Sequence, residues 1–163
     1  MFWNRKPTPV NEHPGKIFAP FTGTALSVDK VPDPVFSEKI LGDGAAVLPE
    51  DGLLCSPVDG VVETVADTFH AYGLHTADGL DILIHVGLET VSLEGKGFSP
   101  LVKQGARVKK GDPLCRVDLA YLKSQNCPLY SPVLITNPDS ISSMSVTEGP
   151  VIAGETCIAV YQL

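Results

Sequence analysis

Residues 80–86, Leu-Asp-Ile-Leu-Ile-His-Val, decide the fold of this chain. The even-numbered residues are all apolar, whereas the odd-numbered ones are Asp81, Leu83 and His85. Because side chains alternate between the two faces of a β-strand, this period of two predicts a strand with one face in the core. We expect His85 on the opposite face, where Gly87 leaves room for another macromolecule to approach closely.

Short runs of the same kind recur along the whole chain. Turn-forming residues separate them, and the chain holds 15 glycines and 14 prolines. The runs are residues 16–20, 23–28, 44–49, 60–65, 71–76, 113–117, 131–136, 144–148 and 156–163. Only residues 119–125, which follow a capping Asp118, are typical of a helix. The pattern predicts an all-β fold, an antiparallel β-sandwich or barrel with one or two short helical turns.

Two pairs of segments resemble each other and indicate an internal duplication. Residues 19–25, APFTGTA, are echoed by SPVDGVV at residues 56–62. The pattern V-x-x-G-x-x-apolar-x-x-V occurs at residues 108–117 and again at residues 151–160. Each copy of this pattern predicts a turn followed by an inward-facing strand, so we expect two related halves that bury one face against each other.

The composition limits the classes of protein that fit. Lys and Arg number 12 against 19 Asp and Glu, for a formal charge of −7, which argues against nucleic-acid binding. There is no CxxC pair, signal peptide or membrane-spanning run, so we expect a reduced cytoplasmic protein without stable membrane insertion. The length fits one domain. We interpret residues 1–15, with three prolines, as a flexible leader or linker remnant, and residues 16–163 as the domain.

Three histidines are the candidates for chemistry, namely His70, His75 and His85. If residues 70–75 form one strand, His70 and His75 point to opposite faces, so only one of them joins His85. Strand parity does not say which one. Thr68 shares the face of His70 by the same parity and would supply a hydroxyl donor.

Three kinds of histidine site were compared with the sequence. A zinc site would need further ligands, and neither HxH nor HxxxH is present. A Ser-His-Asp site would favour G-x-S-x-G, which is also absent. The third is a histidine that attacks phosphorus, helped by a second histidine and a hydroxyl that donate hydrogen bonds to the phosphoryl oxygens. This chemistry requires neither a metal nor a cofactor.

Several segments are familiar as a set. They are VPDPVFSEKILGDGAAVLP (31–49), SPVDGVVETVADTFHA (56–71), GLDILIHVGLETVSLEGKGF (79–98), GARVKKGDPLCRVDL (105–119) and SPVLITNPD (131–139). Together they resemble the enzyme IIA domain of the glucose family in the bacterial phosphoenolpyruvate-dependent sugar phosphotransferase system. The resemblance extends from about residue 16 to the C-terminus, and it implies a β-sandwich built from two related halves.

The resemblance implies roles for individual residues. His85 corresponds to the residue that is phosphorylated on Nε2, His70 rather than His75 to the second active-site histidine, and Thr68 to the active-site threonine. In the family, the docking face is an apolar patch with an acidic rim. The matching positions in this chain are Val35, Phe36, Leu41 and Leu83 for the patch, and Asp33 and Glu89 for the rim. Two positions depart from the common pattern: Glu89 replaces an aspartate, and Pro34 is expected to stiffen its loop.

The same resemblance implies partners. A histidine phosphocarrier protein would donate the phosphate, and a cysteine on an enzyme IIB domain of a sugar permease would accept it. Two alternatives remain at this point. One is a zinc hydrolase with a similar duplicated β architecture, and the other is a regulatory module whose phosphorylation state controls binding to other proteins.

Overall fold

A computed structural model describes residues 9–163. In that range the first seven strands are β1 (Lys16–Phe18), β2 (Gly23–Ser27), β3 (Asp43–Pro49), β4 (Leu53–Cys55), β5 (Gly60–Val65), β6 (Ala71–His75) and β7 (Asp81–His85). The remaining strands are β8 (Phe98–Pro100), β9 (Arg107–Val108), β10 (Pro113–Val117), β11 (Ser131–Ile135), β12 (Ser143–Val146), β13 (Gly149–Val151) and β14 (Cys157–Gln162). Two short helices are α1 (Pro34–Ser37) and α2 (Leu119–Ser124). The all-β prediction is confirmed.

The strands form three antiparallel sheets. The largest has the order β13-β2-β3-β11-β7-β6-β5-β9, and two three-stranded sheets have the orders β1-β14-β12 and β4-β10-β8. All of their pairings are antiparallel. Within residues 9–163 no sheet closes on itself, since the large sheet ends at β13 and β9. The sandwich is therefore confirmed, whereas the barrel alternative is wrong.

Strand β7 lies inside the large sheet, between β11 and β6. Its inward side chains Ile82 and Ile84, with Leu80 and Val86 at the ends, are at most 1% exposed. The odd-numbered Asp81, Leu83 and His85 are only partly buried. The alternation of residues 80–86 thus describes this strand correctly, and the second face of the strand carries His85.

Two hydrophobic clusters fill the two faces of the large sheet. The main core draws side chains from all three sheets, including Ile158 of β14, Tyr72 of β6 and Leu114 of β10, which are fully buried. A second, smaller cluster consists of Val28, Val31, Phe36, Ala46, Leu88 and Leu134. Since Ala46 and Leu134 alternate with residues of the main core on β3 and β11, this outer cluster lies on the opposite face of the sheet. That face is the one that carries His85.

The duplication is visible in the hydrogen bonds between the two repeats. The amide of Phe18 donates to the carbonyl of Pro57 at 2.9 Å, and the equivalent amide of Cys55 donates to the carbonyl of Pro20 at 2.8 Å. The equivalent glycines of the second repeat pair, Gly111 and Gly154, are also in close contact. A Cβ added to Gly154 would lie only 2.5 Å from the Cα of Gly111. The expectation of two related halves is confirmed.

The two edges of the large sheet show the same duplication, but the predicted burial of the repeated strand holds for only one of the two copies. Gly23 pairs with Val151 at one edge, and Gly60 pairs with Val108 at the other. Strands β10 and β14, which follow the turns at Gly111 and Gly154, are not equally buried, however. Val117 at the end of the first copy is 6% exposed. Val160 is 44% exposed, so the second copy of the pattern does not point wholly inward as predicted.

The two helices are both capped by aspartate. Asp118 accepts a hydrogen bond from the amide of Tyr121 at the start of α2, as the sequence predicts. Helix α1 was not predicted, although Asp33 followed by Pro34 is a typical start signal. Asp33 accepts a hydrogen bond from the amide of Val35, and Pro34 occupies the first turn, where its missing N–H costs nothing.

The start of the described chain is attached to the sandwich. The amide of Glu12 donates to the carboxylate of Asp59 at 2.8 Å, and the carbonyl of Gly15 accepts from the amide of Tyr161 at 2.9 Å. The division into a leader of residues 1–15 and a domain of residues 16–163 stays a prediction, and residues 1–8 of that leader lie outside the described residues. All four cysteines are free thiols. No helix in residues 9–163 is long and apolar enough to cross a membrane.

Candidate active site

His85 stands at the end of β7 with its ring fixed from one side. Its Nδ1 lies 2.7 Å from the carbonyl oxygen of Gly87. Since a carbonyl only accepts, Nδ1 carries the proton and donates it, which leaves the lone pair of the neutral ring on Nε2.

The backbone conformation and the close packing at position 87 both favour glycine. Its φ of +69° lies in the left-handed region, and a Cβ there would come within 2.8 Å of the Cγ2 of Thr90. The Ser131 hydroxyl accepts a hydrogen bond from the Gly87 amide at 3.1 Å. The left-handed conformation of Gly87 and the Ser131 hydroxyl thus hold in place the carbonyl that orients His85.

His70 packs against His85. The ring centroids are 5.0 Å apart, and the two planes meet at 76°. The Thr68 hydroxyl lies 2.6 Å from Nδ1 of His70. When that hydroxyl donates to Nδ1, the neutral ring of His70 carries its proton on Nε2 and offers a donor there.

The structure brings His70, and not His75, to His85, so only one of the two joins it as predicted. The premise that residues 70–75 form one strand is wrong, however. His70 and Thr68 lie in the turn between β5 and β6, and β6 begins only at Ala71. Phe69 has a φ of +59°, which interrupts the alternation of side chains. His70 is fixed to the sheet by its carbonyl, which accepts from the amide of Val86 at 2.7 Å.

His75 occupies the far end of the same hairpin. Ala71 pairs with His85 at one end of β6, whereas His75 pairs with Asp81 at the other. Its Nδ1 lies 2.8 Å from the carboxylate of Asp81.

The surroundings keep both site histidines neutral. Burial lowers the pKa of His70, and the neighbouring His85 lowers it further. Burial also lowers the pKa of His85, although the Gly87 carbonyl and the carboxylate of Asp33 act in the opposite direction. Near pH 7 the Nε2 lone pair of His85 is therefore available for nucleophilic attack.

The predicted apolar patch is partly exposed. Val35 and Leu41 are each 41% exposed, and Leu83 is half-buried two residues before His85 on the same face of β7. Phe36 differs from the expectation, because it is only 4% exposed. Its ring belongs to the outer cluster and packs against His85 with a centroid distance of 5.1 Å. Ile40 is 66% exposed and was missed, although its position beside Leu41 could have indicated it.

The two predicted rim carboxylates are held in different ways. Asp33 caps α1 and acts electrostatically on His85. Glu89 is exposed and has a φ of +60°, directly before the 3-10 turn Thr90–Leu93. Asp33 thus immediately precedes the helix that carries Val35 and Phe36, and Glu89 follows the strand that carries Leu83.

Two groups among the described residues have the composition of a metal site, and neither includes the histidine pair. They are Glu12, His13 and Asp59, and Glu63, His75 and Asp81. The donor atoms of each group lie within 4.8 Å of one another. Both oxygens of Asp59 already accept backbone hydrogen bonds, from the amides of Glu12 and Lys110.

Structural similarity gives the class of the protein. The chain matches the glucose permease IIA from Mycoplasma capricolum with a TM-score of 0.83 and 39% identity, over 88% of this chain and 94% of that one. The duplicated sandwich is therefore the fold of a sugar-permease IIA domain. The family model for the phosphoenolpyruvate-dependent sugar phosphotransferase system, EIIA 1, matches residues 15–141. The chain belongs to this family and is a component of the sugar phosphotransferase system, as the sequence motifs indicate.

Curated relatives agree with this assignment. The chain is 44% identical to the glucose-specific EIIA component of Staphylococcus epidermidis over 142 residues, which cover 86% of each protein. It is also 44% identical to the glucose-specific EIICBA component of Staphylococcus carnosus over 146 residues. That match covers 90% of this chain but only 22% of the larger protein.

Proposed function

We propose that this protein carries a phosphoryl group on Nε2 of His85, between a histidine phosphocarrier protein and a cysteine of an enzyme IIB domain. The observation that carries the proposal is the hydrogen bond from His85 Nδ1 to the Gly87 carbonyl. It leaves Nε2 as the nucleophilic nitrogen of a ring whose pKa is lowered by burial.

The transfer needs no reactant beyond the two partners. The Nε2 lone pair attacks the phosphorus of the donor's phosphohistidine, the new N–P bond forms, and the old N–P bond returns its electron pair to the donor imidazole. The Nδ1 proton of His85 stays on the ring, where the Gly87 carbonyl stabilises the positive charge that develops. In the second step a cysteine thiolate attacks the phosphorus, and the electron pair returns to His85.

His70 and Thr68 stabilise the phosphoryl group in this scheme. With the Thr68 hydroxyl donating to Nδ1, the Nε2–H of His70 is free to donate to a phosphoryl oxygen. The perpendicular packing of His70 against His85 supports this role, because it brings the second ring within reach of the phosphorylated nitrogen.

Docking would use the apolar patch and its rim. Val35, Leu41 and Leu83 offer apolar surface, with Phe36 packed behind the His85 ring as a rigid support. Asp33 and Glu89 favour a partner with a basic rim, because opposite charges steer association. The same face must serve donor and acceptor in turn, so we expect a transient interface of modest area.

The family supports the proposed acceptor and the proposed compartment. The Staphylococcus carnosus relative is named an EIICBA component, which supports an enzyme IIB domain as the partner. We assign the protein to the cytoplasm and its phosphocarrier domain to residues 16–163. Neither a metal nor a cofactor takes part in the proposed transfer.

The test is phosphorylation by labelled phosphoenolpyruvate in the presence of enzyme I and the phosphocarrier protein. We expect an acid-labile, base-stable phosphate on the wild-type protein, no label on His85→Ala, and full label on His75→Ala, the matched control on the same hairpin. The proposal fails if His85→Ala is labelled as well as wild type. Transfer of the label to an isolated enzyme IIB domain tests the second step.

A further inference from the structure

Phe69 occupies an unusual backbone conformation between two site residues. Its φ of +59° lies in the left-handed region, which bulky aromatic residues rarely adopt. The other non-glycine residues with positive φ among residues 9–163 are Lys39, Glu89, Glu94 and Asn126. All four are polar, so Phe69 is the exception by residue type and by its position beside His70.

The left-handed turn determines where its two neighbours point. It brings the Thr68 hydroxyl to 2.6 Å from Nδ1 of His70, although only one residue separates the two. The amide of Phe69 donates to the carbonyl of Ala66 at 2.8 Å, and the His70 carbonyl accepts from the amide of Val86 at 2.7 Å. The backbone is thus fixed on both sides of Phe69.

The ring of Phe69 packs against a glycine loop. A Cβ on Gly95 would lie 3.4 Å from Cδ2 and 3.6 Å from Cε2 of the ring. Two residues further on, a Cβ on Gly97 would lie 2.8 Å from Tyr121 Cδ2 and 3.1 Å from Leu122 Cδ1. The ring therefore rests on a loop that is itself packed against α2, and it also contacts the main core.

We propose that Phe69 is a positioning residue, whose ring, anchored on the Gly95 loop, holds the left-handed turn that directs Thr68 and His70 toward His85. Phe69 acts through His70 and does not touch the reacting atoms. This inference rests on the proposed function for its kinetic consequence, but its structural part concerns the hydrogen bond between Thr68 and His70 alone.

The experiment compares three substitutions of Phe69 with a control. Phe69→Ala removes the ring, Phe69→Asn removes it but tolerates the left-handed conformation, and Phe69→Tyr keeps it. Asn126→Ala changes another left-handed residue, which follows α2 and lies outside the proposed site. For each variant we would record the ¹⁵N imidazole spectrum of His70 and the rate of transfer from phosphorylated His85 to enzyme IIB.

We expect Phe69→Ala to mix the two tautomers of His70 and to slow the transfer by about 10- to 100-fold, as small misplacements of positioning groups do. Phe69→Asn should lie between Ala and wild type, and Phe69→Tyr and Asn126→Ala should match wild type. If Phe69→Ala does not fold, the contrast between Phe69→Asn and Phe69→Tyr decides.

Two results would overturn the inference. One is a wild-type His70 spectrum and transfer rate in the variants that lack the ring. The other is an equal change in Asn126→Ala, which would indicate a general structural effect. Failure of the proposed function is distinguishable, because it would leave wild-type His85 without label while the His70 spectrum still reports on the turn.

Discussion

His85 and His75 lie on the same face of the β6–β7 hairpin, at its opposite ends. His75 places its Nδ1 against the carboxylate of Asp81, and a third of its side chain is exposed. His85 places its Nδ1 against a neutral carbonyl and packs against the rings of His70 and Phe36. Two histidines on the same face of one hairpin therefore have different surroundings.

The difference defines the surroundings on which the proposed role of His85 as a nucleophile rests. A backbone carbonyl orients the ring and fixes its tautomer without adding a charge, while burial lowers the pKa of His85. A carboxylate on an exposed surface also orients the ring of His75. Among residues 9–163, however, no second histidine ring packs against it. The number of histidines on the face is thus less informative than the groups each one contacts.

Apart from substitution of His85 itself, the largest loss of phosphoryl transfer is expected from substitution of His70. His70→Ala should slow transfer from phosphorylated His85 to enzyme IIB by about 10²- to 10³-fold, because it removes a donor to the phosphoryl oxygens. His75→Ala should transfer at the wild-type rate. Rapid-quench measurement of both variants is the check, and equal slowing in the two would remove the distinction between the ends of the hairpin.

A smaller effect is expected from the rim charges near His85. Asp33→Asn with Glu89→Gln should lower the association rate with the phosphocarrier protein by roughly 3- to 10-fold at low salt. Asparagine keeps the ability to cap α1. Asp139→Asn, an exposed carboxylate in the turn Pro138–Ser140, is the control. A loss that persists at high salt would show that the carboxylates do not act by steering.

The histidine pair should also make stability depend on pH in a defined direction. Burial lowers the folded-state pKa of His70 and of His85 below 6.5, the value of the unfolded chain. Below pH 6.5 the unfolded chain then binds more protons, so the contribution of the pair is complete above that pH and is lost as the pH falls. Urea unfolding would measure the free energy of unfolding of wild type and of the double variant His70→Gln/His85→Gln as a function of pH. We expect this free energy to depend less on pH in the variant. A pair that stabilises more at pH 5 than at pH 7.5 would contradict the lowered pKa values.

Much of this architecture was predictable from local patterns. The alternation in residues 80–86 identifies β7 and its buried face, and Asp118 marks the start of α2. The similar turns at residues 19–25 and 56–62 indicate the duplication, because each repeat carries its own turn signals. The individual sheet orders were not predictable, since they depend on pairings between strands far apart in sequence.

The site was harder to predict, for two physical reasons. Strand parity left the choice between His70 and His75 open, because it places them on opposite faces without saying which one joins His85. It also does not apply to His70, which lies before β6 and next to Phe69 with its positive φ. The burial of Phe36 depends on the outer cluster, which forms only when α1 folds over the large sheet. The resemblance to a family selected His70 over His75, whereas local patterns placed His85 on its strand and left His70 and His75 as alternatives.

The smallest effect is expected at the other end of the hairpin. Asp81→Asn removes the charge beside His75 but keeps a side chain of the same shape. Since polar contacts between exposed side chains contribute little, it should change the free energy of unfolding by about 0.2–1 kcal/mol in urea titrations. Phosphorylation of His85 should be unchanged, because the hydrogen bond of its ring is made to Gly87 and not to this carboxylate. A loss of phosphoryl transfer in Asp81→Asn would mean that the two ends of the hairpin are coupled, and that the chemistry of His85 is not set by its immediate neighbours alone.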